Sequence, residues 1–185
     1  MKFLKKILIF FVVICVLSGS VFFGGKFVMK ALYPLEYSDV VEKYSEEYGV
    51  EKSLIYAVIK SESNFRENAV SDAGAIGLMQ ITPHTLEWLL TKTGEDLEEH
   101  ALYSGEISIQ YGTFLLKILL DEFDGQVWTA VAAYHAGIGI VGDWITDSSY
   151  SSDGKTLYYI PYDDTRLYVE NVKTAKNIYE KLYDM

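Results

Sequence analysis

The chain has 185 residues, 50% of them apolar and 23% charged, with a formal net charge of −10. That is enough chain for one domain with a real core plus an appendage, and it is too apolar for a disordered segment. Five of the 16 basic residues (Lys2, Lys5, Lys6, Lys26 and Lys30) precede the first acidic residue, Glu36, leaving 11 basic against 26 acidic residues beyond position 30. A surface so acidic repels phosphate backbones, which excludes nucleic acid as the expected partner.

In chain order, the first predicted element is a membrane segment. Residues 7–25 carry no charge and are mostly Ile, Leu, Val and Phe. As a helix they span roughly 28 Å, close to the hydrocarbon thickness of a bilayer. The lysines before this run favour a cytoplasmic N-terminus, which sends the remainder outward. We read residues 1–30 as a single-pass anchor that leaves the following domain outside the cytoplasmic membrane. The alternative is a cleaved signal peptide and a secreted domain. Ser18-Gly19-Ser20 offers small residues for cleavage, but Phe22 and Phe23 continue the apolar run. Cys15, the only cysteine, lies inside this run, so no intramolecular disulfide is possible.

Beyond a spacer ending at Pro34, a helix is predicted from a Ser38 or Asp39 cap to Tyr48, with Gly49 as its stop. A second starts near Glu51, with Ile55, Val58, Glu62 and Phe65 on one stripe. Residues 66–82 are small and Gly-punctuated and read as turns and extended chain. Pro83 opens a third helix through Leu86, Leu89 and Leu90, and residues 91–103 read as a polar connection. Residues 107–123 are amphipathic and end at Gly125, and residues 128–134 form a short, almost wholly apolar helix suited to the centre of the core. Gly137, Gly139 and Gly142 are expected to break the pattern before Trp144. Residues 146–159 read as an exposed flap, and a last helix is capped by Asp164 or Thr165 and runs through Leu182. The expected architecture is one mainly helical domain over 36–185 with a small extended segment.

Glu62 is the residue that carries chemistry. On that stripe, a carboxylate pushed toward an apolar interior has its charged form destabilised, so it can hold a proton near neutral pH and donate it as a general acid. The bland alternative is a helix-end Glu turned to water. Other chemistries have less support. The histidines, His84, His100 and His135, are scattered and no H-E-x-x-H pattern exists, so no metal is expected. There is no phosphate-binding glycine loop, so no nucleotide cofactor is expected, and Ser63 lacks a nucleophile-elbow setting. Carboxylate chemistry on a glycosidic bond remains. Hydrolysis there normally needs a second carboxylate, and Asp72, Asp143, Asp153, Asp163 and Asp164 are the candidates, none in an apolar setting. A single carboxyl group can also act twice. It first protonates the leaving oxygen, then takes a proton from a substrate hydroxyl that closes an anhydro ring.

Glu62-Ser63, then Ser71, then Gly77-Leu78-Met79-Gln80, then Ala133-Tyr134-His135-Ala136-Gly137 resemble, in order and spacing, the soluble-type lytic transglycosylase (SLT) family. The likeness runs over roughly residues 45–183. It implies a lysozyme-like α+β fold, mainly helical. It also implies lyase cleavage of the β-1,4 bond between N-acetylmuramic acid and N-acetylglucosamine in peptidoglycan, leaving 1,6-anhydromuramic ends. By position, Glu62 would be the catalytic acid and then base. Ser71 would hydrogen-bond near the reacting sugar. Met79 (chiefly its backbone) and Gln80 would line the groove, and Tyr134 would sit over the Glu62 carboxyl. His135 stands where the family usually has Asn and adds a titratable group near the cleft. Asp164 stands for the usual Glu before Thr165-Arg166, and Ser108 for a frequent Asn. Such an enzyme would act on glycan strands and could serve wall growth, or secretion or conjugation machinery that crosses the wall. Lysozyme-like hydrolysis and a non-catalytic wall-binding protein are the competing readings.

Overall fold

A computed structural model of the chain describes residues 25–185. The predicted membrane segment thus lies outside the described residues except for Gly25. Among the described residues no helix is long and apolar enough to cross a membrane. The chain divides into two units, Met1–Pro34 and Leu35–Met185. In the first, residues 25–32 are helical. The second holds α1 (Ser38–Tyr48), α2 (Lys52–Glu62), α3 (Pro83–Thr93), a 3-10 turn (Glu99–Tyr103), α4 (Gly105–Glu122), α5 (Val127–Ala136), α6 (Ile138–Thr146) and α7 (Asp163–Tyr183).

Local chemistry sets most of these boundaries. Gly49 closes α1 in the left-handed region and returns its N–H to Ser45 O. The start of α1 differs from expectation: Tyr37 occupies the cap position without a side-chain bond, and Asp39 instead faces the helix dipole from the first turn. Pro83 takes the first position of α3, and the Thr82 hydroxyl accepts the Thr85 N–H at 3.1 Å. The predicted polar connection after it is partly helical. The helix α3 continues to Thr93, and the 3-10 turn buries Leu102 completely.

Two expectations fail for physical reasons. The stripe through Glu62 was drawn on to Phe65, but α2 stops at Glu62, because Asn64 and Phe65 both turn left-handed, at φ 51° and 64°. Moreover α2 is not buried along one stripe. Ser53 through Ile59 are all buried, so the helix is enclosed on every side. The glycines after α5 break the chain only once. Gly137 adopts φ 98° and ψ 143°, a conformation that needs glycine, whereas Gly139 and Gly142 sit inside α6 with open space where a Cβ would be. The expected extended segment exists only as isolated bridges, Val70 to Ile76, Ile76 to Ile81 and, in the flap, Ser151 to Leu157.

The core is built around α2 and α5. The helix α2 packs chiefly along α7, and α5 lies against α4, α6 and α7. Thr129 through Ala133 of α5 are buried, as its uninterrupted apolar sequence requires. One close approach ties the bridged segment to this core. At Gly112 of α4, an added Cβ would stand 2.4 Å from the Met79 sulfur, so only glycine leaves room for Met79 to seat there.

Candidate active site

A cleft of about 460 Å³ opens above the junction of α2, α5 and the bridged segment. Glu62, Ser71, Gln80, Tyr134 and His135 all line it, together with Thr82, Thr85 and Leu115. Among these lining residues Glu62 is the only carboxylate. A second hollow of about 370 Å³, bordered by His84, Trp88 and Ile138, shares Thr85, Leu115, Tyr134 and Gly137 with it, so the two form one groove.

Glu62 is held by the way α2 ends. It is the last helical residue, where the unsatisfied carbonyls of a helix C-terminus carry partial negative charge and oppose an added anion. The chain then leaves through two left-handed non-glycine residues, a strained exit from the helix. The Arg66 Nε donates to Ser63 O at 2.9 Å, satisfying one of the helix-end carbonyls. The Ser63 hydroxyl, itself buried, donates to Leu78 O at 2.8 Å and ties the helix end to the bridged segment.

Burial pushes the Glu62 carboxyl up to about 7, against an opposing hydrogen bond from the Tyr168 hydroxyl. That bond, donated to Glu62 Oε1 at 2.6 Å, is the one hydrogen bond to the carboxyl among the described residues. Tyr134, expected over the carboxyl, lines the same cleft and feels the charge of Glu62. Its hydroxyl donates to Met79 O at 2.7 Å, and the hydrogen bond to Glu62 comes instead from Tyr168 of α7. Burial and the neighbouring Glu62 raise both phenols well above their ordinary value, so they remain donors throughout the working range.

The bridged segment is pinned from both sides. Met79 N–H donates to Ser108 Oγ at 3.0 Å while its carbonyl accepts from Tyr134. The Met79 side chain is wholly buried and faces Gly112, so it supports the cleft from beneath and does not line it. The next residue, Gln80, at φ 50°, gives both amide hydrogens to backbone, to Ala69 O at 3.1 Å and Gly77 O at 2.9 Å. Its amide oxygen is then the atom left for the cleft. Ser71 accepts the Ala75 N–H at 3.0 Å, which leaves its own O–H to donate to a ligand.

His135 stacks on Tyr168 with ring centres 4.6 Å apart, and its Nδ1 shares a 3.1 Å hydrogen bond with Thr165 Oγ1. Burial lowers its pKa, with Asp164 pulling the other way. The other candidate acids, Asp72, Asp143, Asp153, Asp163 and Asp164, do not line the cleft. Sequence reasoning gave Thr165 only as a helix cap and, with Tyr168, as part of the family pattern, and assigned neither a role in supporting the carboxyl. Both lie on the buried face of α7, and their three-residue spacing along a helix was the available signal.

The chain's residues 39–157 match the family model described as the transglycosylase SLT domain. The chain belongs to that family. It is 32% identical over 145 residues to the soluble lytic murein transglycosylase of Salmonella typhimurium, covering 76% of this chain and 22% of that protein. It is 36% identical over 117 residues to the membrane-bound lytic murein transglycosylase C of Serratia proteamaculans, covering 57% and 32%. The SLT chain thus spans under a third of the length of these curated relatives. Its fold superposes on the 70-kDa soluble lytic transglycosylase of Escherichia coli with a TM-score of 0.75 at 28% identity, covering 83% of this chain and 25% of that one. An inactive glutamate-to-glutamine mutant of lytic transglycosylase Slt from Pseudomonas aeruginosa gives 0.73 at 31% identity, with the same coverages. The fold is therefore the mainly helical, lysozyme-like one that the family resemblance implied.

Proposed function

We propose that this SLT domain is a lytic transglycosylase that cleaves peptidoglycan glycan strands without water. The observation that carries the reading is a single sheltered carboxyl in the groove, Glu62, held by one phenol and raised to about 7, with no second carboxylate lining the cleft. Inverting or retaining hydrolysis normally uses two such groups. With one, the balanced course is internal. Protonated Glu62 gives its proton to the bridging oxygen of the leaving N-acetylglucosamine as the bond to the muramic C1 breaks. Its carboxylate then takes the proton of the muramic 6-hydroxyl as that oxygen attacks C1. No water is consumed, and Glu62 ends protonated as it began. In this reading the Ser71 hydroxyl and the Gln80 amide oxygen meet the sugar, while Met79 supplies backbone beneath them. The inactivity of the Pseudomonas aeruginosa relative's glutamate-to-glutamine mutant supports an essential Glu.

Purified peptidoglycan digested by the full chain should yield anhydro-ended fragments, each about one water lighter than a hydrolysed fragment. Reducing ends alone would establish hydrolysis instead, and no release by wild-type enzyme would leave a wall-binding protein. We further propose that residues 1–30 anchor the chain as a single pass, with the catalytic domain at 36–185 outside the cytoplasmic membrane. The uncharged run at 7–25 and the lysines before it support this. Retention in the membrane fraction after alkaline carbonate washing, with the domain open to protease added from outside, checks it.

A further inference from the structure

We infer that His135 is a positioning residue for the Glu62 acid, acting through Tyr168, and that it must be neutral for the enzyme to turn over. This rests on the reading of Glu62 as the working acid. The geometry is a chain of three fixed contacts. Thr165 holds the imidazole through Nδ1, the imidazole stacks on the Tyr168 ring, and the Tyr168 hydroxyl holds Glu62 Oε1. The plane of the phenol, and with it the direction of its hydrogen bond, is set by the ring against it. His135 also lines the same cleft as Glu62. Hence any charge on it is felt by both the carboxyl and the sugar.

The consequence is electrostatic. The transition state at a glycosidic carbon is oxocarbenium-like and carries developing positive charge. A cationic imidazole in that cleft opposes it. The same cation stabilises the Glu62 carboxylate and weakens it as the base of the second step. Asp164 from α7 acts on His135 and favours the cation, Tyr168 stacks on its ring, and Glu62 from α2 and Tyr134 line the same cleft. Burial of the ring outweighs Asp164 and keeps His135 below its ordinary 6.5, while Glu62 titrates near 7. Between the two lies the state the chemistry needs, with Glu62 protonated and His135 neutral. On lowering the pH, His135 takes up one proton from solvent and activity falls. The enzyme therefore carries an acid limb that its single carboxylate cannot supply by itself.

The test is the pH dependence of anhydro-product release by the full chain from purified peptidoglycan, each variant normalised to its own maximum. Wild type should be bell-shaped. His135→Asn, which keeps hydrogen-bonding atoms, and His135→Phe, which keeps a stacking ring, should both lose the acid limb and keep the alkaline one. His135→Phe should retain more of the maximal rate if stacking positions Tyr168. An acid limb that persists in both variants overturns the inference. If neither variant folds, the imidazole titration of wild type by NMR decides. A His135 signal that titrates below its ordinary 6.5 and shifts in Glu62→Gln supports the inference, and one that titrates at or above 6.5, or ignores Glu62, sinks it. Glu62→Gln also separates the two readings: if it still releases anhydro product, the assignment of the acid fails, whereas a dead Glu62→Gln with an unchanged acid limb in the His135 variants defeats only the role of His135.

Discussion

The cleft floor and the flap each hold a carboxylate, and the two have been driven in opposite directions. In the flap, Asp153 accepts N–H bonds from Thr156 at 2.7 Å and Lys155 at 2.9 Å and a hydroxyl from Ser151 at 3.1 Å. Those donors, aimed at the charged form, pull its pKa down to about 2. In the cleft, Glu62 receives one phenol, stands at the negative end of a helix, and is sheltered from water, and it rises to about 7. Sequence distance does not predict this divergence. The number of donors and the loss of solvent do. The flap carboxylate is a permanent anion that closes a turn. The cleft carboxylate is a proton store.

The sharpest way to break the contrast is Glu62→Gln. We expect turnover of peptidoglycan to fall by about 1,000-fold or more, since in the proposed reaction one group performs both proton transfers. The same variant should be more stable than wild type, but only at high pH. The folded-state pKa, about 7, lies above the ordinary 4.5. Wild type therefore loses stability as pH rises from 4.5 through 7, whereas Gln does not titrate. Thermal denaturation should show a gain of up to about 3 kcal/mol at pH 8 and none at pH 4.

Tyr168→Phe is next. It removes the one donor that lowers the Glu62 pKa, so the alkaline limb of the pH profile should move to higher pH. The maximal rate should fall by roughly tenfold through loss of orientation. Tyr134→Phe provides the control for this. Its hydroxyl serves Met79 O and not the carboxyl, so the limb should stay in place while stability drops by about 1 kcal/mol in denaturant titrations. The smallest effect is expected in the flap. Asp153→Asn should lower the melting temperature slightly at pH 7, with turnover unchanged. The folded pKa of Asp153 is depressed from 3.8 to about 2, so its contribution is present above 3.8 and disappears as pH falls through 2. The Asn variant and wild type should then melt together at pH 2.

Periodicity, caps and glycines made most helices legible. The Pro83 start, the Gly49 stop and the buried α5 follow from local sequence alone. Glu62, Ser71, Gln80, Tyr134 and His135 were also legible as one set, through their order and spacing, and the fold brings all five to one cleft. Met79 belongs to the same motif, but its side chain went to the core because Gly112 opens a seat for it 33 positions later. The helix α6 was misread because its glycines lower propensity without forbidding a helix, and packing against α5 overrode them.

By itself the sequence determined a helical, acidic domain with one carboxylate on the apolar stripe of a helix, because apolar spacing and charge are properties of neighbouring residues. Which phenol holds that carboxylate was decided only by the tertiary structure. Tyr168 lies 106 residues away from Glu62 and reaches it because α7 packs along α2. The height of the Glu62 pKa was decided in the same way, since solvent is excluded by side chains that come together only when the chain has folded.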